Sequence, residues 1–159
     1  MFDMLVNPEE ALRILSLGDR SELDRAINNG ELPEQHEGGV PGKRFRIGDV
    51  VMFELTKAIR CLGVDGAKSV RYAQAVLGSR LAENDENVLD WIENESQDLF
   101  CLIADSQLAR IFLRDKEGAK EVDVGAVKPV LFPTTKCEIN VFRVIRPAVF
   151  RARQLLNSR

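Results

Sequence analysis

Asp19-Arg20-Ser21-Glu22-Leu23-Asp24-Arg25-Ala26-Ile27-Asn28-Asn29-Gly30 spells out a short helix together with its own start and stop signals. Asp19 is an acidic cap, Glu22 follows three residues on, and Leu23, Ala26 and Ile27 recur at helical spacing. Gly30 closes the element, because a residue without a Cβ enters the left-handed conformation that ends helices at little cost. Upstream, Asn7-Pro8-Glu9-Glu10-Ala11-Leu12-Arg13-Ile14-Leu15 predicts a first helix, with Asn7 as its cap, Pro8 at the first helical position and two acids in the first turn. The turn Leu17-Gly18-Asp19 joins the two.

Downstream, Pro33, Gly38, Gly39, Pro41 and Gly42 predict a turn-rich loop, and Lys43-Arg44-Phe45-Arg46-Ile47 behind them a short alternating strand. Gly48-Asp49 then precedes a helix carrying Val50, Phe53, Leu55, Ala58, Ile59 and Leu62, which Gly63 stops. Asp65-Gly66 opens another, running through Val70, Ala73, Val76, Leu77 and Leu81, and a third, acidic stretch from Glu86 to Asp98 contains Trp91. From Leu99 the pattern becomes β-like. Leu99 to Ile103 and Leu108 to Leu113 flank Asp105-Ser106-Gln107 as in a hairpin, while Glu121-Val122-Asp123-Val124 and Val130-Leu131-Phe132 predict further strands. After Asn140, residues Val141, Val144, Ile145, Ala148, Val149, Ala152, Leu155 and Leu156 share one helical face, and Arg143, Arg146, Arg151 and Arg153 occupy the other. Pro147 is expected to kink that helix or to mark its beginning. The expected class is α+β.

With 159 residues and 45% hydrophobic content, the chain can bury a core of ordinary size. No run reaches the ~18 apolar residues of a membrane span, and Met1-Phe2-Asp3-Met4 lacks the basic start of a secretion signal, so a cytoplasmic protein is expected. Cys61, Cys101 and Cys137 are widely spaced and odd in number, which fits a reducing compartment and buried structural thiols. A formal charge of −3 excludes a protein that coats nucleic acid by bulk attraction. Residues 1–82 hold 11 Lys and Arg against 12 Asp and Glu, and residues 83–159 hold 11 against 13, so any nucleic-acid contact must come from local arrangement.

The order helix, turn, helix ending in Asn-Gly-Glu-Leu-Pro, Gly-rich loop, Lys-Arg-Phe-Arg, Gly-Asp and apolar helix resembles the N-terminal DNA-binding domain of the MerR family and related excisionase-type proteins. The matching positions are Ala11, Leu15, Leu23, Arg25, Ile27, Gly30, Leu32, Pro33, Arg44, Phe45, Arg46 and Asp49, covering about residues 7 to 64. The resemblance implies a winged helix-turn-helix in residues 1–82, with Asp49 capping the helix after the wing, followed by an α/β dimerisation or sensing domain in residues 83–159. It implies duplex DNA as the partner and a homodimer as the default, since one recognition helix reads only a half-site. Arg20, Ser21 and Arg25 would then meet bases or nearby phosphates, and Lys43, Arg44 and Arg46 would hold the wing to the backbone with Phe45 turned inward. Two features depart from the family pattern. The inter-helix turn is one residue longer, and the second helix carries Glu22 and Asp24, which oppose phosphates or accept from cytosine amino groups.

The dimer contact is expected on the helices between Asp65 and Asp98 or on the apolar face of the last helix, unless those stripes are core within one subunit. A transcriptional regulator is the expected function. The alternatives are a helix-turn-helix scaffold used for protein contacts and an excisionase-like accessory factor in recombination. No Cys-x-x-Cys pair occurs, and the single His36 stands beside Glu34 and Glu37 in a polar loop, so no metal and no cofactor are expected. With one histidine, no Gly-x-Ser-x-Gly and no phosphate-cradling loop, an enzyme is not expected. Glu83, Asp85, Glu86, Asp90, Glu93 and Glu95 read as a solvated helix face.

Overall fold

Two capping side chains set the first two helices. Asn7 accepts from the Glu10 N–H at 2.9 Å while Glu10 accepts from the Asn7 N–H at 2.9 Å, so α1 (Pro8–Leu15) opens on a reciprocal capping box. Asp19 accepts from the Ser21 N–H at 2.9 Å and opens α2 (Arg20–Asn28). Between them the left-handed residue is Ser16, at φ 53°, and not Gly18. The computed structural model describes residues 1–35, 42, 44–78, 92, 98–121 and 134–159. The acidic residues from Glu83 to Glu95, Trp91, His36, Leu81, the glycines at 38 and 39, Pro41 and the strands expected at 122–124 and 130–132 lie outside them.

A strand the sequence did not announce, β1 (Leu5–Val6), pairs antiparallel with β2 (Phe45–Arg46), and Gln35 bridges Arg44 beside them. This ladder carries straight into α3 (Ile47–Arg60). Asp49 therefore does not cap that helix, as the family pattern implied. The cap position is Arg46, without a side-chain bond, and the first helical N–H groups go instead to the N-terminal segment. Ile47 N–H donates to the Met4 carbonyl at 3.0 Å and Gly48 N–H to that of Phe2 at 2.9 Å, which satisfies donors that a capping carboxylate would otherwise take.

Gly63, at φ 82°, ends the turn after α3, and Asp65 caps α4 (Gly66–Ala73), which finishes in a π-turn at Gln74–Gly78. The second half contributes an antiparallel sheet in the order β5-β4-β3-β6. Its central hairpin joins β3 (Asp98–Ala104) to β4 (Gln107–Asp115), which begins at Gln107, leaving Asp105 and Ser106 as a two-residue turn. Both turn residues have positive φ, 48° and 60°, as a primed turn requires. Asp98, expected at the end of an acidic helix, instead starts β3, because the apolar run Leu99 to Ala104 finds partners on both flanks. Among the described residues the outer strands are β5 (Gly118–Glu121) and β6 (Lys136–Asn140).

The last helix, α5 (Val141–Asn157), is capped by Asn140, and Pro147 lies inside it. Its apolar face is not a free dimer surface. Val141, Phe142, Ile145, Ala148, Val149 and Ala152 are buried against α1, α3 and β3, joining one core cluster that also contains Ala11, Ile14, Phe53, Leu55, Cys101 and Ile111. Two arginines of its other face work as ties. Arg151 Nε donates to the Ile14 carbonyl at 2.6 Å, an acceptor left open at the end of α1, and Arg146 Nε donates to the Ile92 carbonyl at 2.5 Å. The expectation of three buried thiols is corrected as well. Cys101 is buried on β3, and burial pushes its thiol up to about 12, whereas Cys61 at the end of α3 and Cys137 on an outer strand are exposed. Element ends and sheet edges cover one side of a residue only.

Candidate nucleic-acid interface

The six residues expected to meet DNA fall on α2 and on the segment around β2. Leu23 and Ala26 anchor α2 in the core, which turns Arg20, Ser21 and Arg25 outward. Arg20 is 60% exposed by side chain and stands 4.0 Å from Asp24, one helical turn on. Ser21 is committed to the cap: its hydroxyl donates to Asp19 Oδ2 at 2.5 Å, besides the bond from its N–H. Those Ser21 bonds, with Arg25 nearby, hold the Asp19 carboxyl below the ordinary range. Ser21 is thus a helix-capping residue whose hydroxyl is already donated, and Arg25 is the cation that α2 projects.

Arg25 and Ser21 line an open cleft of about 280 Å³ between α2 and α3, shared with Asp19, Glu22, Glu31, Phe53 and Arg60. Two of these were not singled out from the sequence. Glu31 is 4% exposed by side chain, and Arg60 Nη1 donates to its Oε1 at 2.5 Å. Gly66 makes room for that carboxylate, since a Cβ there would stand 3.2 Å from Oε1. Their separation of 29 residues hides the pair from any local pattern, although an acid between Gly30 and Leu32, inside a closely packed corner, is the signal that was open to reading. Lys57, one turn before Arg60, pairs with Glu54 at 3.0 Å and lies 5.5 Å from the Phe53 ring centre.

On β2 the strand period alternates. Phe45 is fully buried, as expected, so Arg44 and Arg46 emerge on the opposite side, Arg46 exposed and Arg44 half-buried. Arg44 lies towards Glu10. Burial opposes ionisation of that carboxyl, but the Asn7 N–H, the Arg159 guanidinium and Arg44 together hold it below its ordinary value. Arg159 reaches Glu10 Oε1 with Nη2 at 2.6 Å and Nε at 3.2 Å. Arg46 faces Asp49, whose carboxyl burial pushes up, with Arg46 and a long 3.5 Å bond from Gln35 Nε2 offsetting part of the shift. Lys43 lies outside the described residues. The structure thus groups the expected residues as two sets, Ser21 and Arg25 at the cleft and Arg44 and Arg46 at β2.

Among the described residues, no group of three or more His, Cys, Asp or Glu could hold a metal ion, and no helix is long and apolar enough to cross a membrane. The chain matches no protein-family model, and none of the curated proteins matches it significantly.

Proposed function

We propose that the chain is a sequence-specific DNA-binding protein, a transcriptional regulator that lays α2 against duplex DNA and steadies it with the segment around β2 as a wing. The observation that carries this reading is the pair Arg44 and Arg46, turned outward around a fully buried Phe45 on a strand that runs directly into α3. Backbone pairing at this position fixes where the two cations are presented, which suits contact with phosphates. Arg25 is the second support, being exposed on a helix whose apolar side is locked in the core. Two copies reading two half-sites complete the proposal, as single helices of this kind cover too few bases for selectivity.

A salt titration against random-sequence duplex tests it. Binding should fall steeply with salt, by about 0.9 log units per log unit of salt for each phosphate engaged, and Arg44→Glu with Arg46→Glu should abolish it. No binding at low salt, or a double variant that binds like the wild type, removes the regulator reading. A scaffold for protein contacts is the second reading. The pairing of Arg20 with Asp24, and the carboxylates of Asp19 and Glu22 at the cleft, favour it because they neutralise the helix that would face phosphate.

A further inference from the structure

The β6 edge is self-complementary. In the sheet order β5-β4-β3-β6, strand β6 pairs, among the described residues, with β3 on one side only, and Thr134, Thr135, Lys136, Cys137 and Glu138 are all exposed. An open edge presents a row of backbone donors and acceptors ready for another strand. Which groups point outward follows from the ladder. Asp105 N–H donates to the Thr135 carbonyl at 3.1 Å, and the register continues Ile103 with Cys137 and Cys101 with Ile139. In an antiparallel pair, hydrogen-bonded positions alternate, so Thr135, Cys137 and Ile139 spend their backbone groups on β3. Lys136 and Glu138 aim theirs away from the sheet.

We propose that two copies of this chain join through β6, antiparallel about a two-fold axis at Cys137, so that one sheet continues across both copies. The side chains fit that axis. Pairing Cys137 with its counterpart sets Lys136 opposite Glu138 of the second copy and Glu138 opposite its Lys136, two attractive pairs that come from one Lys-Cys-Glu triplet. The same register makes the Lys136 and Glu138 positions the hydrogen-bonded ones. The Cys137 pair is then the close, non-hydrogen-bonded kind, with Cα atoms about 4.5 Å apart. Isologous contact of this type needs a patch complementary to itself, and a charge-palindromic strand edge is one. The α5 apolar face, by contrast, is already filled. Glu138 also holds Arg114 at 3.3 Å on the exposed surface, a pair that leaves its other oxygen for the second copy.

This inference places the two-copy part of the DNA-binding reading but does not use any DNA contact. The experiment is the solution mass of the full chain under reducing conditions, with thermal unfolding recorded for every variant. The wild type should run at twice the 17.8 kDa chain mass. Lys136→Glu turns both attractive pairs into repulsive ones and should raise the dissociation constant at least about tenfold, while Lys136→Glu with Glu138→Lys restores the dimer. In a Cys61→Ser background, a short bismaleimide should link two chains through Cys137, and Cys137→Ser should abolish the link. A wild type of monomer mass at its highest soluble concentration overturns the proposal, even if it binds DNA. A folded Lys136→Glu that stays dimeric does the same. A dimer with these responses that fails to bind duplex DNA upholds this proposal and removes only the regulator reading.

Discussion

Asp49 is a residue that costs stability where it stands. Desolvation at the start of α3 raises its carboxyl above the ordinary value of 3.8, and Arg46 and Gln35 do not fully compensate. An acid with a raised folded value keeps its proton longer than the unfolded chain does, so stability declines as pH rises from the ordinary carboxylate range to the folded value and stays lower above it. Asp49→Asn keeps an acceptor for Gln35 and removes the charge. Chemical denaturation at pH 7 should therefore find the variant more stable than the wild type, with the difference vanishing once the pH drops below 3.8. A variant less stable at pH 7 would mean that Asp49 is held by contacts stronger than its burial cost. Glu31 shows the opposite arrangement at the same scale, a buried acid placed against a partner, Arg60, by the room that Gly66 leaves. Arg25 and Arg46 were readable as exposed cations because each neighbours an apolar residue that had to turn inward, whereas Arg44 is half-buried towards Glu10. Ser21 was not readable as spent, since its bond to Asp19 depends on a rotamer.

At the scale of elements, α5 carries a proline in its interior, and the chain runs as helix through it. Proline removes one intrahelical hydrogen bond and crowds the carbonyl four residues back, at a cost of about 3 kcal/mol in a regular helix, part of which its stiffer unfolded chain returns. Pro147 is exposed, so Pro147→Ala leaves the core untouched. It should stabilise the protein by about 1 to 2 kcal/mol, seen as a melting temperature several degrees higher. An unchanged or lower melting temperature would show that α5 gains from the fixed backbone angle of Pro147. The β3–β4 turn is the matching case in the sheet. Asp105 accepts from the Thr134 and Thr135 N–H groups and from the Thr135 hydroxyl, clamping β6 to the hairpin that it follows. The hairpin itself was legible from two apolar runs around Asp105-Ser106-Gln107, but β1, β5 and β6 were not. Short strands of two to five residues carry too few positions to show a period of two, and they exist here because a longer neighbour supplies their partners.

Across the whole molecule, α5 is the member that binds the first half to the second. Its buried face meets α1 and α3 on one flank and β3 on another, and Arg151 and Arg159 reach back to Ile14 and Glu10. Ile145 is fully buried at that junction. Ile145→Ala should cost about 2 to 5 kcal/mol and lower a single transition, with circular dichroism and calorimetry agreeing on its midpoint. Two separated transitions would show that the halves unfold on their own. The change from helical spacing to β-like runs comes at Leu99, and the division expected near residue 82 lies outside the described residues. Spacing says nothing, however, about which distant face an apolar stripe will meet. The caps at Asn7, Asp19 and Asp65, the helix stops at Gly30 and Gly63, the central hairpin and the inward turn of Phe45 were determined by the sequence alone, since each rests on bonds and sterics within a few residues. The destination of the α5 stripe, the Glu31–Arg60 pair, the start of α3 at Ile47 and the open β6 edge were decided by tertiary structure, because each depends on which remote backbone or side chain arrives to satisfy a buried surface or an unpaired polar group.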